Sequence, residues 1–418
     1  MDEGAALPRP FAVPDERLLR LAEEYGTPVY AYSRESMTRT VQALQEGMPR
    51  VDFFYSLKAN PNVHICRALN RCGAKAEVSS AGELTVALEA GVDGRDIIFV
   101  GPAKTREELD LAIRSGVYAI VAESVGEILA IEDLAKHIGV EAVRLLLRIN
   151  TSEEPDATEI MVGGPSRFGF DQECVAAEVG ELDLDRCRLA GIQVYSASQV
   201  LDAGWLVAHM ETVVSLAVDL SCEMGFDLEC VDFGGGYGVP YTEQESPLDV
   251  ANLFDGAAAV FAKWSDKLGS VRLIVELGRY LVAESGVLLV RVLRVKESRG
   301  KRFLITDGGL PCFTRPAFMH TSHPIRAVGV RPGAVPNYFE VCGRTCTPLD
   351  LLGSDVPLPD VDEGDLLAVH KAGAYGFSMS MLNFMSFDWP AEVMLTAEGS
   401  QLIRPRQPYQ SVISVQLP

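Results

Sequence analysis

The sequence predicts an α/β fold, a TIM-type (β/α)8 barrel joined to a second, mainly β domain. Eight short apolar segments recur between residues 51 and 279, and amphipathic stretches with apolar residues three and four apart separate them. Strands that alternate with helices favour a parallel sheet, and eight such units are the number that a closed barrel requires. A doubly wound sheet is the alternative, which the number of units and the lack of GxGxxG after the first strand disfavour.

The barrel is predicted to follow a polar, proline-bearing start. Residues 28–33 (PVYAYS) read as a short strand, and residues 34–48 have helical spacing. The eight barrel strands share a high content of apolar and β-branched residues. They are predicted at 51–57, 74–80, 96–102, 118–124, 143–150, 189–196, 228–236 and 272–279.

The pattern changes after residue 279. Residues 282–306 alternate as strands do and contain a Ser-Arg-Gly hairpin signal, and proline and glycine then separate short β-like runs as far as residue 418. We therefore predict a barrel domain over 26–279. A β-sandwich-like or β-barrel-like domain is predicted over 280–418, completed by residues 1–25.

The composition excludes several classes of partner. With 48% hydrophobic and 23% charged residues, the 418-residue chain has the make-up of an ordinary globular protein. Its net charge of -21 disfavours nucleic acid and anionic membrane surfaces as partners. No apolar run approaches the length of a transmembrane helix, so none is expected.

The cysteines and histidines of the sequence indicate the cellular compartment of the protein and whether a metal site is expected. The nine cysteines form no CxxC pair, and the acidic N-terminus lacks the apolar core of a signal peptide. This pattern predicts a reduced, cytoplasmic protein. The six histidines show no HExxH or similar spacing, so no metal site is expected.

Lys58 directly follows the apolar run VDFFYS in the segment VDFFYSLKAN. A lysine close to a core is costly unless its charge is relieved, and a desolvated lysine readily loses its proton and becomes a nucleophile. That property suits Schiff-base chemistry with an aldehyde. From this segment alone, the alternative is a lysine whose amine reaches solvent at the strand end.

Polar residues fall at the predicted carboxyl ends of six barrel strands, the edge where barrel active sites gather. One such residue could be a satisfied core group, but six strands carrying them at one edge are poorly explained by chance. They are Lys58; Glu77, Ser79 and Ser80; Arg148; Tyr195, Ser196 and Ser198; Gly234, Gly235 and Gly236; and Glu276, Gly278 and Arg279.

The triple glycine, Gly234, Gly235 and Gly236, predicts a phosphate site. Without Cβ atoms, the backbone can approach an anion closely and direct N–H groups at it, and the loops after strands seven and eight are the usual phosphate site of a barrel. Glycine also serves tight turns, but Gly278 and Arg279 on the next strand support the phosphate site. A lysine for an aldehyde and a site for a phosphate together indicate pyridoxal 5′-phosphate.

Glu276 indicates the type of reaction. A carboxylate beside the pyridine nitrogen keeps that nitrogen protonated and makes the ring a strong electron sink, which stabilises the carbanion left when a bond to Cα breaks. A racemase, which must limit the lifetime of that carbanion, is better served by a cation. The alternative for Glu276 is a salt bridge to Arg279 or Arg148.

Several motifs resemble those of the fold type III pyridoxal-phosphate decarboxylases, the group of diaminopimelate, ornithine and arginine decarboxylases, over nearly the whole chain. YSLKAN resembles their Y-x-x-K-A/C-N, and EVSSAGEL their second-strand motif, with Glu77 in place of aspartate. DFGGGYG and ELGR resemble the phosphate and pyridine-nitrogen motifs. The resemblance implies an alanine-racemase-like barrel, Lys58 as the cofactor lysine and Glu276 as the partner of the pyridine nitrogen. Arg148 would support Glu276 or the ring edge.

Other motifs assign further residues by the same resemblance. VYSASQ stands where the family has H-x-G-S-Q, so Tyr195 would stack on the cofactor ring and Ser198 would bind its phosphate. GAYGFSM implies that Tyr375 contacts the phosphate and the rim of the site. TRPAFMHTSHPI implies that Arg315 binds a substrate carboxylate, with a surface salt bridge as the alternative.

CGRTCTPLD resembles the family's G-P-T-C-D/E-S-x-D. Cys346 would be the catalytic cysteine, contributed across a homodimer interface, that protonates Cα after CO2 leaves. Without the resemblance, it is one of nine cysteines and more often buried than reactive. Thr347 stands where the family places an acidic residue that binds a distal amino group.

Thr347 therefore directs the substrate prediction away from lysine, ornithine and free diaminopimelate. The chain resembles a divergent branch that includes the butirosin-pathway decarboxylase acting on a glutamyl group held by an acyl carrier protein. We predict decarboxylation, in secondary metabolism, of an amino acid that is non-cationic or linked to a carrier or conjugate, such as a glutamyl group on an acyl carrier protein. For an acidic carrier, Arg315, Arg326 and Arg331 are a candidate basic patch.

Two alternatives to this substrate prediction remain. The first is meso-diaminopimelate decarboxylation for lysine synthesis, which Arg315 favours and Thr347 disfavours. The second is a non-catalytic homologue that binds pyridoxal phosphate, which the retention of Lys58, Glu276 and Cys346 disfavours.

Overall fold

The computed structural model describes residues 13–152, 159–160, 162–329 and 336–417, and the chain divides into two compact units. The barrel unit contains Val41–Val239 and Ser246–Tyr280. The β unit contains the chain up to Thr40, Pro240–Glu245 and the chain from Leu281 onwards.

The secondary structure alternates over the barrel unit and is mainly β beyond it. The helices are α1 (Asp15–Tyr25), α2 (Arg34–Gly47), α3 (Val63–Asn70), α4 (Ala81–Ala90), α5 (Arg106–Arg114), α6 (Val125–Ile138), α7 (Val175–Val179), α8 (Ala203–Met224), α9 (Val250–Lys263), α10 (Ser265–Leu268), α11 (Arg279–Val282), α12 (Arg315–Met319) and α13 (Tyr409–Ser414). The strands are β1 (Val29–Ser33), β2 (Val51–Ser56), β3 (Lys75–Val78), β4 (Ile97–Phe99), β5 (Ala119–Ala122), β6 (Val143–Asn150), β7 (Glu159–Ile160), β8 (Phe170–Asp171), β9 (Cys187–Gln193), β10 (Ala197–Ser198), β11 (Cys230–Asp232), β12 (Arg272–Leu277), β13 (Gly286–Ser298), β14 (Lys301–Thr306), β15 (Ile325–Val328), β16 (Asn337–Cys342), β17 (Leu351–Leu358), β18 (Leu366–His370), β19 (Ala391–Leu395) and β20 (Ser400–Arg404).

Eight parallel strands close the barrel in the order β2, β3, β4, β5, β6, β9, β11 and β12, with β12 pairing back to β2. Each of the eight predicted strands contains or overlaps one of them, so the predicted barrel is confirmed. Side chains from several of these strands pack together, as Phe54, Ile98, Leu146 and Ile274 do in one buried cluster.

Six helices of the barrel unit, α3, α4, α5, α6, α8 and α9, begin at a side-chain cap. The Ser80 hydroxyl accepts the backbone N–H of Glu83 at the start of α4, and the Thr105 and Glu108 side chains form a reciprocal capping box at α5. Several helices end at a glycine with positive φ, such as Gly139 after α6. These caps fix the entry of each helix next to the strand end that carries the site.

Among the described residues, α8 is the one helix long and apolar enough to cross a membrane, with a mean hydropathy of 1.3 over 18 residues. Core helices of soluble proteins pass the same test. The buried residues of α8 recur at helical spacing, which is the pattern of a helix that packs one face on a sheet. They are Ala203, Leu206, Met210, Val213, Val214, Ala217 and Leu220.

The β unit contains a mixed sheet in which β17, β16, β14, β13, β1, β19 and β20 are neighbours in that order, and β18 pairs with both β13 and β15. The predicted hairpin joins β13 to β14, where Ser298 pairs with Lys301 across Arg299 and Gly300. Both turn residues have positive φ, of 52° and 81°, as a type I′ turn requires.

The division into units differs from the predicted boundary at residue 26. Strand β1 lies in the β unit because it pairs antiparallel with β13 and parallel with β19. Its residues Val29 and Ala31 pack in the core of that unit together with Leu289 and Val393. Pro240–Glu245 also belongs to the β unit, although it lies inside the predicted barrel range.

Candidate active site

Lys58 lies in a short 3₁₀ turn, Leu57–Ala59, directly after β2. Its Nζ is 3.3 Å from Oε2 of Glu77, which is fully buried at the end of the neighbouring strand β3. Ser79 donates a hydrogen bond of 3.0 Å to the same carboxylate. The two adjacent strand ends therefore hold the amine beside a fixed carboxylate.

The expectation that Lys58 is desolvated is not what the structure shows. Its side chain is 43% exposed, and its Nζ lies 5.8 Å from the centroid of the Tyr195 ring. The amine is thus both paired and accessible. An accessible amine beside an aromatic face can react with an aldehyde group that enters the mouth of the barrel.

Glu276 is buried in β12, with 3% of its surface exposed. Gln193 donates a hydrogen bond of 3.2 Å to its Oε2, whereas its Oε1 is buried with no hydrogen-bond partner in the described part of the chain. Burial, and to a smaller extent the nearby Glu77 carboxylate, raise the pKa of Glu276 to about 7 despite the opposing effect of Lys58.

A third buried carboxyl belongs to Asp232, the last residue of β11. Its Oδ1 accepts the backbone N–H of Gly234 at 2.9 Å, whereas its Oδ2 is buried with no hydrogen-bond partner in the described part of the chain. Burial raises the pKa of Asp232 well above its ordinary value, and the neighbouring Glu276 charge adds to this effect.

The glycine loop requires the absence of side chains at each of its three positions. Gly234 and Gly236 have φ of +60° and +89°, and a Cβ on Gly235 would overlap the carbonyl oxygen of Glu276. Arg279, which is 8% exposed, donates a hydrogen bond of 3.3 Å to the Ser198 hydroxyl. The predicted phosphate residues Ser198 and Arg279 are therefore in contact.

Arg148 lies at the end of β6 and forms an ion pair of 3.0 Å with Glu123, both side chains being nearly buried. Its guanidinium also lies 4.5 Å from the centroid of the Phe168 ring, and Gly169 N–H donates to the other oxygen of Glu123. Arg148 is close enough to lower the pKa of Glu276. Arg148 thus stands near the carboxyl end of its strand, as the sequence predicted, with Glu123 as its ion-pair partner.

The remaining predicted residues lie in the β unit. Cys346 is exposed in the loop between β16 and β17, and its backbone N–H lies 3.4 Å from Sδ of Met385. The Thr347 hydroxyl accepts the backbone N–H of Leu349 at 3.3 Å. Asp350 is 4% exposed and holds the loop, since it accepts the N–H groups of Leu310 and Thr345.

Arg315 is buried in α12, with only 2% of its surface exposed, so the surface salt bridge considered as its alternative is wrong. Its guanidinium lies 4.8 Å from the centroid of the Tyr241 ring. Arg315 therefore cannot form part of a surface patch for a carrier. Arg326 pairs with Asp15 at 2.6 Å, and Arg331 lies outside the described residues.

Tyr375 is half-buried in the segment that follows β18 and has a positive φ of 55°. A tyrosine in the left-handed region carries backbone strain, which a functional position commonly retains. The strain is consistent with a side chain whose direction is fixed by the fold.

Four residues of these sites were not predicted from the sequence. Asp232 and Gln193 are polar residues within predicted barrel strands. Their position near the edge where the site was predicted could have identified them as site residues. Glu123 also ends a predicted strand, and a buried acid was to be expected opposite Arg148. Asp350 is the last residue of the CGRTCTPLD motif.

The residues present fit pyridoxal 5′-phosphate. The buried Glu276 Oε1 is an acceptor for an N–H group, and the accessible Lys58 amine suits an aldehyde. The side-chain-free loop at Gly234–Gly236 and the Ser198–Arg279 pair offer donors for a phosphate. One edge of the barrel thus carries a carboxyl group, an amine and an anion site. These suit the ring N–H, the aldehyde and the phosphate of this cofactor.

Comparison with known proteins decides the family. A family model described as the pyridoxal binding domain of pyridoxal-dependent decarboxylases matches residues 34–283. The chain belongs to this family. The resemblance stated from the motifs is therefore confirmed, as are the cofactor and the prediction of a decarboxylase. The protein is a pyridoxal-phosphate-dependent amino acid decarboxylase.

Curated relatives of this decarboxylase match it over nearly their whole length. The L-glutamyl-[BtrI acyl-carrier protein] decarboxylase of Niallia circulans is 34% identical over 408 residues, which cover 95% of both chains. The diaminopimelate decarboxylase of Methanocaldococcus jannaschii is 31% identical over 409 residues, 95% of this chain and 92% of the relative.

Solved structures show the same architecture. The diaminopimelate decarboxylase from M. jannaschii has a TM-score of 0.87 at 30% identity, with 96% of this decarboxylase and 94% of that chain covered. The Helicobacter pylori enzyme complexed with L-lysine also has a TM-score of 0.87, at 28% identity, with 96% and 99% covered.

Proposed function

We propose that this decarboxylase acts on an amino acid with no distal ammonium group, held on a carrier or conjugate, such as a glutamyl group on an acyl carrier protein. The observation that carries the proposal is the loop of Cys346. Thr347 is neutral, and the Asp350 carboxylate is buried and already accepts two backbone N–H groups. The described loop thus offers no accessible carboxylate to a substrate ammonium, which a lysine-like side chain would need.

The relatives support this substrate class without deciding it. One relative with 34% identity is named for decarboxylation of an L-glutamyl group on an acyl carrier protein. A role in secondary metabolism would follow from such a substrate. The alternative is meso-diaminopimelate, since relatives of 31–34% identity carry that name and the buried Arg315 is a candidate for binding a second carboxylate.

Within the site, Lys58 would hold the cofactor and Glu276 would accept a hydrogen bond from its ring nitrogen. The glycine loop, Ser198 and Arg279 would hold the phosphate, and Tyr195 would pack on the ring. When bound, pyridoxal 5′-phosphate supplies an electron sink for the electron pair left as CO2 departs. Glu77 keeps the Lys58 amine in place at 3.3 Å.

Four residues of the β unit would complete the site. Cys346 of the partner subunit would deliver a proton from Sγ to Cα of the substrate. Tyr375 would contact the cofactor phosphate, and Arg315 and Thr347 would face the substrate. Exposure of Cys346 makes its thiol available to a second molecule.

A homodimer with active sites at the interface is part of the proposal. Its support is a set of large apolar side chains of the β unit that are exposed to solvent and are of the aromatic, Leu and Met types that protein interfaces can bury. They are Phe318, Leu349, Met381 and Met385, at 69%, 62%, 46% and 42% exposure. All nine cysteines are free, which supports the proposed cytoplasmic location.

A CO2-release assay with a substrate panel tests the proposed substrate. The panel holds free diaminopimelate, lysine, ornithine and glutamate, and glutamate loaded on an acyl carrier protein. Release from the carrier-linked substrate alone is expected. Release from free diaminopimelate at a higher kcat/KM would replace the proposal by the alternative. Loss of CO2 release from every amino acid, with the cofactor spectrum retained, would indicate a non-catalytic homologue.

A mixing experiment tests the shared site. Lys58→Ala and Cys346→Ala each remove activity if both residues are catalytic. If Cys346 acts across the interface, mixing the two variants restores part of the activity, because some dimers then contain one intact site. No restoration after verified exchange of subunits would contradict the shared site.

A further inference from the structure

Strand β11 leaves the barrel sheet at Phe233, the residue before the glycine loop. The N–H of Phe233 donates to the carbonyl oxygen of Ile274 at 3.0 Å, so the ladder with β12 is still regular at this point. The next bond of a regular parallel ladder would join the N–H of Glu276 to the carbonyl of Phe233. Instead, Glu276 donates to the carbonyl of Gly234 at 2.7 Å, so the ladder shifts by one residue. The Phe233 carbonyl thereby loses its ladder donor.

The side chain of His209 supplies a donor in its place. Its Nε2 lies 2.9 Å from the carbonyl oxygen of Phe233, a residue that is 2% exposed. Because a carbonyl oxygen only accepts hydrogen bonds, Nε2 must carry the proton and donate it. A buried carbonyl without a donor is costly, so the contact with His209 replaces the lost ladder bond.

Helix α8 fixes the direction of the His209 ring. His209 stands one helical turn after Trp205, and the two rings stack with their centroids 5.4 Å apart and their planes 15° from parallel. The stacking covers one face of the imidazole and leaves its Nε2 edge toward the Phe233 carbonyl. Burial lowers the pKa of His209, which favours a neutral ring with one donor nitrogen.

The start of the glycine loop is closely packed. Gly234 has a φ of +60°, and a Cβ on it would lie 2.7 Å from the carbonyl oxygen of Val194 and 2.9 Å from Cα of Tyr195. The backbone at Gly234 thus packs directly on the segment that carries Tyr195, the residue proposed to pack on the cofactor ring. A shift of the peptide between Phe233 and Gly234 would therefore displace the glycine loop or this segment.

We propose that His209 is a positioning residue whose Nε2–H holds the peptide between Phe233 and Gly234, and with it the glycine loop, in the geometry that binds the cofactor phosphate. The role in phosphate binding rests on the proposed function of the loop, whereas the hydrogen bond rests on the observed contact. His209 lies outside the motifs VYSASQ and DFGGGYG, so the resemblance of those motifs assigns it no role.

Paired binding measurements with pyridoxal 5′-phosphate and with pyridoxal, which lacks the phosphate, test this role. His209→Phe keeps a ring but has no donor. Its Kd for pyridoxal 5′-phosphate should rise about tenfold, the worth of one hydrogen bond, while its Kd for pyridoxal should stay within about twofold. His209→Gln, whose amide N–H can replace the donor, should keep the Kd for pyridoxal 5′-phosphate within about threefold of the wild type.

The matched control is His137→Phe, at an exposed position of α6, which should leave both Kd values unchanged. An unchanged Kd for pyridoxal 5′-phosphate in His209→Phe would overturn the proposal. An equal loss of affinity for both ligands would also overturn it, because a general disturbance of the fold does not distinguish the phosphate.

Nuclear magnetic resonance of the histidine side chains gives a second readout that needs neither cofactor nor substrate. The cofactor-free chain is labelled with 15N-histidine and measured at pH 8, and His209→Gln assigns the His209 signals by their loss. We expect the His209 ring to carry its proton on Nε2. A proton on Nδ1 instead would leave no donor for the Phe233 carbonyl and would overturn the proposal. A failed substrate assay, or a phenylalanine variant that does not fold, leaves this readout unaffected.

Discussion

Lys58 Nζ lies 3.3 Å from Oε2 of Glu77, so an exposed amine at the end of one barrel strand is held by a fully buried carboxylate at the end of the next. The ion pair orients the amine without desolvating it. It also places a negative charge near Glu276, whose pKa it raises. Glu77 therefore contacts Lys58 and also raises the pKa of Glu276, the proposed partner of the cofactor ring nitrogen.

Glu77→Gln should shift the pH dependence of cofactor binding to lower pH. The substitution removes a buried negative charge, so the pKa of Glu276 should fall below about 7. The measurement is the Kd of pyridoxal 5′-phosphate as a function of pH. Glu77→Asp, which introduces the usual family residue, should retain the profile more closely, and the exposed Glu89→Gln is a matched control that should leave it unchanged. A Glu77→Gln profile identical to that of the wild type would contradict this coupling.

Glu276→Gln should remove the acidic limb of the same profile. Because burial holds the pKa of Glu276 at about 7, the carboxylate is ionised above that pH and protonated below it. Only the ionised form pairs with a protonated ring nitrogen, so wild-type affinity should fall as the pH drops through about 7. In Glu276→Gln, the affinity should be lower and nearly flat across this range, and a retained limb would assign the titration to another group.

Glu276 should also affect the stability of the cofactor-free protein. A carboxyl whose pKa is raised in the folded state stabilises the protein at pH values below its unfolded pKa of 4.5. That contribution is lost as the pH rises through about 7, where the buried group ionises. Denaturant midpoints of the cofactor-free wild type should therefore fall over this window more than those of Glu276→Gln.

Glu123→Gln should destabilise the barrel strongly. The Arg148–Glu123 pair is nearly buried, and removing one partner of a buried pair leaves an uncompensated charge that costs about 3–5 kcal/mol. The free energy of unfolding from denaturant titration measures the loss. Arg106→Ala, which breaks a surface pair with Asp133, is the control, with an expected change of about 1 kcal/mol or less. Equal changes in the two variants would contradict the structural role of the Arg148–Glu123 pair.

Thr347→Glu should move the substrate preference toward amino acids with a distal ammonium group. A carboxylate at this position can pair with a cation, and one charge-assisted hydrogen bond is worth about tenfold in kcat/KM. The measurement is the ratio of kcat/KM for diaminopimelate and for carrier-linked glutamate. Thr347→Gln, which enlarges the side chain without adding a charge, is the matched control. An unchanged ratio would show that Thr347 does not contact the substrate.

The sequence predicted the barrel because each of its strands is a buried apolar run with a turn at either end. It could not assign β1, since the pairing of that strand with β13 and β19 joins segments far apart in the chain. PVYAYS reads as a strand in either unit, and the pattern of one strand does not name its partners.

The candidate site was predicted where a motif residue also ends a strand, as for Lys58, Glu276 and Ser198. The exposure of Lys58 was missed, because a lysine after an apolar run looks buried until its partner Glu77 is known. The burial of Arg315 was likewise missed, since Tyr241, which its guanidinium faces, lies in a distant segment. The surroundings of Lys58 and Arg315 depend on contacts between segments that are separated in the sequence, so the local pattern does not reveal them.

Lys58 is the residue proposed to hold the cofactor, and reductive trapping tests this role most directly. Borohydride treatment of the protein loaded with pyridoxal 5′-phosphate fixes the cofactor to its lysine, and peptide mass mapping then identifies the modified residue. We expect modification of Lys58, and loss of the visible cofactor band in Lys58→Ala. Modification of another lysine instead, such as the buried Lys104, or no trapped cofactor at all, would contradict it.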